Sequence, residues 1–260
     1  MPPIQAVIDN ILTAIPGAPF AETVDVVKTG DPSQGVTGII TTFLASQAVL
    51  ERAVELGANF IITHEPVFYN HLDETDWLAD DPVYLAKRKL IDEHGLVVWR
   101  FHDYWHRHKP DGIITGVAQA LGWTSYFDPA NPYAVTIPML PLSDLVAYVS
   151  DKLACPSPRV IGSPDMPCSV VSLMVGAPGG KWQITALRGV DVLIAGEVNE
   201  WDTTEWVRDA NRQGLRKALI VVGHALSEEA GMAYLVDWLS PLVPGVAITH
   251  VPSGDPFLGG

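Results

Sequence analysis

Two hydrophobic rhythms alternate along the chain. Short, β-branched apolar runs read as strands: Gly35 to Phe43, Asn59 to Thr63, Leu96 to Phe101, Val190 to Ala195, Ala218 to Val222 and Val246 to Val251. Between them the spacing turns helical, over Ser46 to Leu56, Asp81 to His94, Asp111 to Leu121, Leu142 to Leu153, Trp201 to Asn211 and Glu228 to Leu239. Gly57, Gly95 and Gly122 fit helix stops, and Asp81-Pro82 fits a helix start. Ile4, Val7, Ile8, Ile11 and Leu12 share one face of a first helix. Val170 to Val175 and Lys181 to Leu187 read as a hairpin around Ala177-Pro178-Gly179-Gly180, and the Pro-rich stretch 126–140 as a connector. The two βαβ-rich stretches, 35–125 and 185–251, predict an α/β protein with largely parallel strands. The expected domains are 1–127 and 128–260, with the last elements able to pack back on the first domain.

The chemistry stands at the strand ends. His64-Glu65 directly follows one strand, and the segment from His102 to His108 follows the next. Glu197 follows the strand ending at Ala195 after one glycine, and His224 follows Gly223 in the same way. Open α/β sheets bind ligands outside the carboxyl ends of their strands. His102 and His106 are four apart, as are His224 and Glu228, so a helical turn would put each pair on one face. Ser227 fits the cap of a helix beginning at Glu228. Mixed imidazole and carboxylate donors suit Zn, Mn, Fe or Co. The expected metal ligands are His64, Glu65, His106, His224 and Glu228, with Asp103 competing with His106. A carboxylate bridging two ions would hold them about 3.5–4 Å apart. His102 and Glu197 are the expected proton carriers or ligand-orienting groups. His71, His94, His108 and His250 read as surface or hydrogen-bonding residues. Most of the tryptophans read as packing residues, with Trp105 and Trp201 flanking the candidate site.

Composition narrows the function. At 260 residues, 48% of them apolar, the chain has ample material for a core. No apolar run approaches the roughly 18 to 20 residues of a membrane span. The N-terminus lacks a basic residue and Asp9 interrupts its apolar stretch, which argues against a secretory signal. Cys155 and Cys168 make no disulfide framework, so a reducing, cytoplasmic compartment is expected. A net charge of −14 with no Lys/Arg cluster argues against nucleic acid and for a small-molecule or protein partner.

ANFIITHEPVFY, WRFHDYWH, GVDVLIAGEVNEW and ALIVVGHALSEEAGM resemble, in that order, the signature segments of the Nif-three-like family. Bacterial members of that family carry the label GTP cyclohydrolase I type 2 homolog. The resemblance runs from about the strand before residue 46 to residue 240. It implies two α/β domains, a dinuclear metal site in the cleft between them, and hexamers built as trimers of dimers. His64, His224 and Glu228 match the family's ligand positions directly. Glu65 stands where the family has a second His, and His106 where it has Asp. One imidazole has become a carboxylate and one carboxylate an imidazole, so total ligand charge is preserved. Gly196-Glu197 is kept, but Glu200-Trp201 stands where the family has a His pair.

Two functions follow as expectations. One is a hydrolase using two divalent metal ions on a small, possibly nucleotide-like molecule, with cyclohydrolase activity implied by the family label alone. The other is a non-catalytic metal-binding regulatory or scaffold protein. The chain has no Walker-type phosphate loop.

Overall fold

The strand runs are apolar nearly throughout, and this dictates how they pack. The computed structural model describes residues 1–128 and 131–257 as a mixed α/β fold. The chain divides into two compact units, Met1–Ile113 with Gly231–Ser253, and Ile114–Ala230 with the chain from Gly254 on.

The first unit's sheet contains Val27–Thr29 (β1), Ile39–Thr42 (β2), Phe60–Thr63 (β3), Val97–Arg100 (β4) and Ile248–His250 (β11), in the order β1-β4-β3-β2-β11. Strands β2, β3 and β4 are parallel and buried at every position, as strands covered on both faces are. Strand β11 joins β2 in parallel and β1 joins β4 antiparallel.

Helix α1 (Ile4–Thr13) buries Ile4, Val7, Ile8 and Ile11. Helix α2 (Gln47–Glu55) is capped by Ser46, whose hydroxyl accepts from the Val49 N–H. Helix α3 (Pro82–Glu93) is capped by Asp81, which accepts from the N–H groups of Val83 and Tyr84. Ile40, Ile61 and Val98 from the sheet pack with Val49, Leu50 and Ala53 of α2 and Ile91 of α3. Each large aliphatic side chain buried there stabilises the unit by about 1.5–3 kcal/mol. Helix α4 (Asp103–Arg107) follows β4, and α5 begins at Gly112. Trp105 is fully buried, lies 5.7 Å from the Phe101 ring and donates to the Gly231 carbonyl at 3.2 Å. A side chain at Gly112 would collide with its indole.

The second unit's sheet contains Phe127–Asp128 (β5), Asn131–Pro141 (β6), Arg159–Ile161 (β7), Pro167–Met174 (β8), Val192–Ala195 (β9) and Ala218–Val221 (β10). Their order is β5-β6-β8-β9-β10-β7, with β8, β9 and β10 mutually parallel. Helices α6 (Leu142–Lys152), α7 (Gly180–Leu187), α8 (Glu205–Arg212) and α9 (His224–Leu239) complete the series. Leu187, Val207, Leu193, Ala195, Leu219 and Val221 form a core cluster. Among the described residues no helix is long and apolar enough to cross a membrane.

Three expectations are corrected. Lys181 to Leu187 is helix α7, not a hairpin arm. Strands β8 and β9 are parallel, so a crossover must join them. Gly180, Gln183 and Leu187, three and four apart, are the helix's buried positions, and the β-branched Ile184 and Thr185 mask that spacing. Residues 126–140 are not a connector: Asn131–Pro141 is a strand paired antiparallel with β8. Helix α9 starts at His224, so Ser227 lies inside it and is no cap. Gly223, at φ +89°, turns the chain directly out of β10. Residues 129–130, part of the expected connector, lie outside the described residues.

Candidate metal centre

Register builds the first donor set. Thr63 is paired with Arg100, so His64 and the Phe101-His102 segment leave neighbouring strands at the same sheet edge. The turn after β4 is helical and closes with the His106 N–H donating to the His102 carbonyl at 3.0 Å. This sets the two rings edge to face, with centroids 4.9 Å apart. Their centroids lie 4.6 Å (His102) and 5.0 Å (His106) from that of the fully buried His64. One ligand atom from each of the three rings lies within 4.8 Å of the others.

The ring orientations are held from behind. His64 Nδ1 is 3.3 Å from the Phe101 carbonyl, His102 Nδ1 3.0 Å from Asp103 Oδ1, and His106 Nδ1 3.0 Å from Asp111 Oδ2. A carbonyl or carboxylate oxygen only accepts, so Nδ1 carries the hydrogen and a neutral ring has its lone pair on Nε2. Metal-ligating histidines are fixed in this way. Burial, helped by His106, lowers the His102 pKa to about 4, so its ring is neutral at pH 7.

Behind the rings lies a polar layer. Asp25 accepts from the backbone N–H groups of His102 at 2.9 Å and Tyr104 at 2.7 Å, and burial raises its pKa to about 6 against those bonds. Burial pushes Asp103 up as well. Its bonds with His102, Thr23 and the Val24 N–H outweigh that and leave it below its ordinary value. Asp103 thus faces Thr23, Val24 and His102, while His106 stands with His64. Arg100, fully buried, donates through Nε to the His64 carbonyl at 3.2 Å and through Nη1 to the His71 carbonyl at 2.6 Å. Its Nη2 lies 3.6 Å from Glu65 Oε2, and Glu65 Oε1 lies 3.8 Å from His102 Nε2.

The second unit presents a set of its own. Met174 and Ala195 are paired, as are Ala195 and Val221, so Gly176, Glu197 and His224 follow three adjacent strand ends. Helix α9 places His224 and Glu228 one turn apart. His224 Nδ1 is 2.9 Å from Glu197 Oε1, and Nε2 is 3.1 Å from Glu228 Oε2. With Nδ1 donating to Glu197, a neutral ring faces the Glu228 carboxylate lone pair to lone pair. A second proton or a cation between them relieves that repulsion. The Ser227 hydroxyl donates to the His224 carbonyl at 2.7 Å and accepts from the Gly176 N–H at 2.9 Å. A side chain at Gly176 would collide with the Glu228 carboxylate. Gln183 donates to the Glu197 carbonyl at 2.7 Å and accepts from the Thr203 hydroxyl at 2.7 Å, both side chains being buried.

The expected site residues therefore fall into two groups, His64, Glu65 and His106 in the first unit, and Glu197, His224 and Glu228 in the second. His102, expected to carry protons, sits inside the imidazole cluster. Arg100, Asp25, Asp111, Gln183 and Thr203 were not anticipated. Arg100 had one visible signal, a charge interrupting the apolar run LVVWRF. His71 and His94 are exposed, while Nδ1 of His108 and of His250 lies within hydrogen-bond reach of a backbone carbonyl. Trp105 is core, and Trp201 is 79% exposed.

An α/β fold with imidazoles and carboxylates gathered at its strand ends defines a class of proteins with groups able to hold a metal ion. Within that class, the sequence profile of Duf34/NIF3 (NGG1p interacting factor 3) matches residues 8–254. The chain belongs to the Duf34/NIF3 family. It is 27% identical over 214 residues to the GTP cyclohydrolase 1 type 2 homolog of Escherichia coli (strain K12), covering 79% of this chain and 80% of that protein. Its fold is similar to that of the Staphylococcus aureus hypothetical protein SA1388, with a TM-score of 0.77, 20% identity and 99% of both chains covered. The Bacillus cereus protein related to NIF3 is similar to the same degree, with a TM-score of 0.77, 16% identity and 99% of both chains covered.

Proposed function

We propose that this protein binds two divalent metal ions of the Zn, Mn, Fe or Co class and uses them to hydrolyse a small molecule. The supporting observation is the cluster of His64, His102 and His106, whose rings each have Nδ1 against an acceptor. In this reading His64, Glu65, His106, His224 and Glu228 are metal ligands, as the family resemblance implies. The donor chemistry fits: neutral imidazoles and carboxylates suit these metals and offer no thiolate.

Such ions supply Lewis acidity and lower the pKa of a water toward about 7. The chain's own groups do the rest. Asp103 and Asp111 hold the imidazoles in the ligating tautomer, and Arg100 holds the Glu65 carboxylate. Glu197, largely exposed, accepts a proton through His224 or directly. The name of the E. coli relative, GTP cyclohydrolase 1 type 2 homolog, makes GTP and related nucleotides the first compounds to try.

The test is turnover of a panel of nucleotides and cyclic amides or esters by the metal-loaded protein, with His106→Ala as control. Metal-dependent turnover that His106→Ala abolishes supports the reading. Tight metal binding without turnover of any compound favours a regulatory or scaffold role. The hexamer implied by the family is checked by sedimentation of the purified chain.

A further inference from the structure

We infer that His102 is itself a metal ligand, and that the first unit holds one ion through His64, His102 and His106 without donors from the second unit. The inference rests on the metal-binding reading above and deepens it.

The geometry points to a set of three imidazoles. The ligand atoms of His64, His102 and His106 fall within 4.8 Å of one another, a span that an ion placed about 2.0–2.1 Å from each nitrogen closes with small side-chain movement. His102 carries the same device as His106, a carboxylate on Nδ1, supplied by Asp103 as Asp111 supplies it to His106. Its ring centroid stands 4.6 Å from that of His64 and 4.9 Å from that of His106, and its Nε2 lies 3.8 Å from Glu65 Oε1, so the ring belongs to the same cluster of donors.

The sequence explains why the arrangement exists here. An imidazole at 106, one helical turn after His102, makes an i, i+4 pair of identical donors on one face. A carboxylate at 106 would not. Three protein nitrogens leave a coordination position open, and Glu65, tethered by Arg100, stands beside it as a fourth donor or as a base. Three neutral imidazoles favour Zn, Co, Ni and Cu over Mg and Ca.

Zinc titration of the metal-stripped chain tests this, with bound metal measured by elemental analysis after gel filtration. The proteins compared are wild type, His102→Ala, His102→Gln, and the double variant His224→Ala/Glu228→Ala, whose first donor set is untouched. Circular dichroism checks that each is folded. The double variant is expected to keep one tightly held zinc per chain. Each His102 variant should bind that ion more than about 100-fold more weakly, beyond the about 10–100-fold that loss of an outer partner costs. Cobalt bound to the double variant should show the intense visible bands of a four- or five-coordinate site. Loss of all zinc from the double variant, or unchanged affinity in both His102 variants, overturns the inference while the metal-binding reading stands. A wild-type chain that takes up no zinc overturns both.

Discussion

The two donor sets stand at the carboxyl ends of parallel strands, yet they are held by different means. In the first unit three of the four supports are buried: Arg100 clamps the turn carrying His64 and Glu65, Asp25 fixes the backbone of α4 and Asp111 holds the His106 ring, while the part-exposed Asp103 holds that of His102. In the second unit His224 and Glu228 ride on the first turns of a helix, and the partner of His224 is Glu197, whose side chain is 59% exposed. Buried support fixes a ligand in place before any ion arrives. Exposed support leaves one face of the ligand to solvent and, in the proposed enzyme, to substrate. The first set is thus the anchor and the second the adjustable side.

Arg100→Leu should break this contrast most strongly. It strips donors from two backbone carbonyls and a cation from Glu65, at a cost of about 3–5 kcal/mol in chemical denaturation. Arg159→Leu, which removes the exposed pair with Glu200 in the second unit, should stay within about 0.5 kcal/mol. Equal effects would erase the distinction between buried and exposed support.

Asp111→Asn should weaken zinc binding about 10–100-fold in competition titrations. Glu197→Gln should do less, because water can replace its carboxylate, and a larger effect from Glu197→Gln would reverse the comparison. Within the second unit, Ser227→Ala leaves the buried Gly176 N–H without its acceptor. A loss of about 1–2 kcal/mol is expected in thermal or urea unfolding, with the metal affinity of the first set unchanged.

The smallest effect is on pH dependence in the metal-free chain. His102 titrates at about 4 when folded, against 6.5 ordinarily. Between those values the unfolded chain binds more protons, so this residue's stabilisation is present above pH 6.5 and lost as pH falls toward 4. Asp25, raised to about 6, acts oppositely: the folded chain holds its proton between about 6 and 3.8 and gains stability on acidification. The two partly cancel in wild type. The stability difference between wild type and His102→Gln isolates the first, and it should shrink between pH 7 and pH 4.5. A constant difference would contradict the burial argument for His102.

Much of the scaffold was legible because buried parallel strands are written as unbroken apolar runs. Phe60–Thr63, Val97–Arg100, Val192–Ala195 and Ala218–Val221 all lie within the expected runs, and the donors His64, His102, Glu197 and His224 come shortly after their ends. Helix α7 was misread because eight residues give little periodicity and Ile184 and Thr185 favour a strand locally. Strand β6 was misread because its prolines mimic a connector. Ser227 reads as a cap only if the helix begins at Glu228; the helix begins at His224, and the Ser227 hydroxyl bonds the backbone of His224 and Gly176. Asp25, Gln183 and Thr203 acquire their roles only through contacts far along the chain, which no local pattern encodes. The placing of His102 within the cluster depended on the register of β3 against β4.

X-ray absorption at the zinc edge of the zinc-loaded chain tests the central claim most directly. The account predicts an imidazole-rich shell with nitrogen at about 2.0–2.1 Å and the multiple scattering of histidine rings, weakened in His106→Ala. A shell of oxygen or sulfur alone, or a spectrum indifferent to His106, would contradict it.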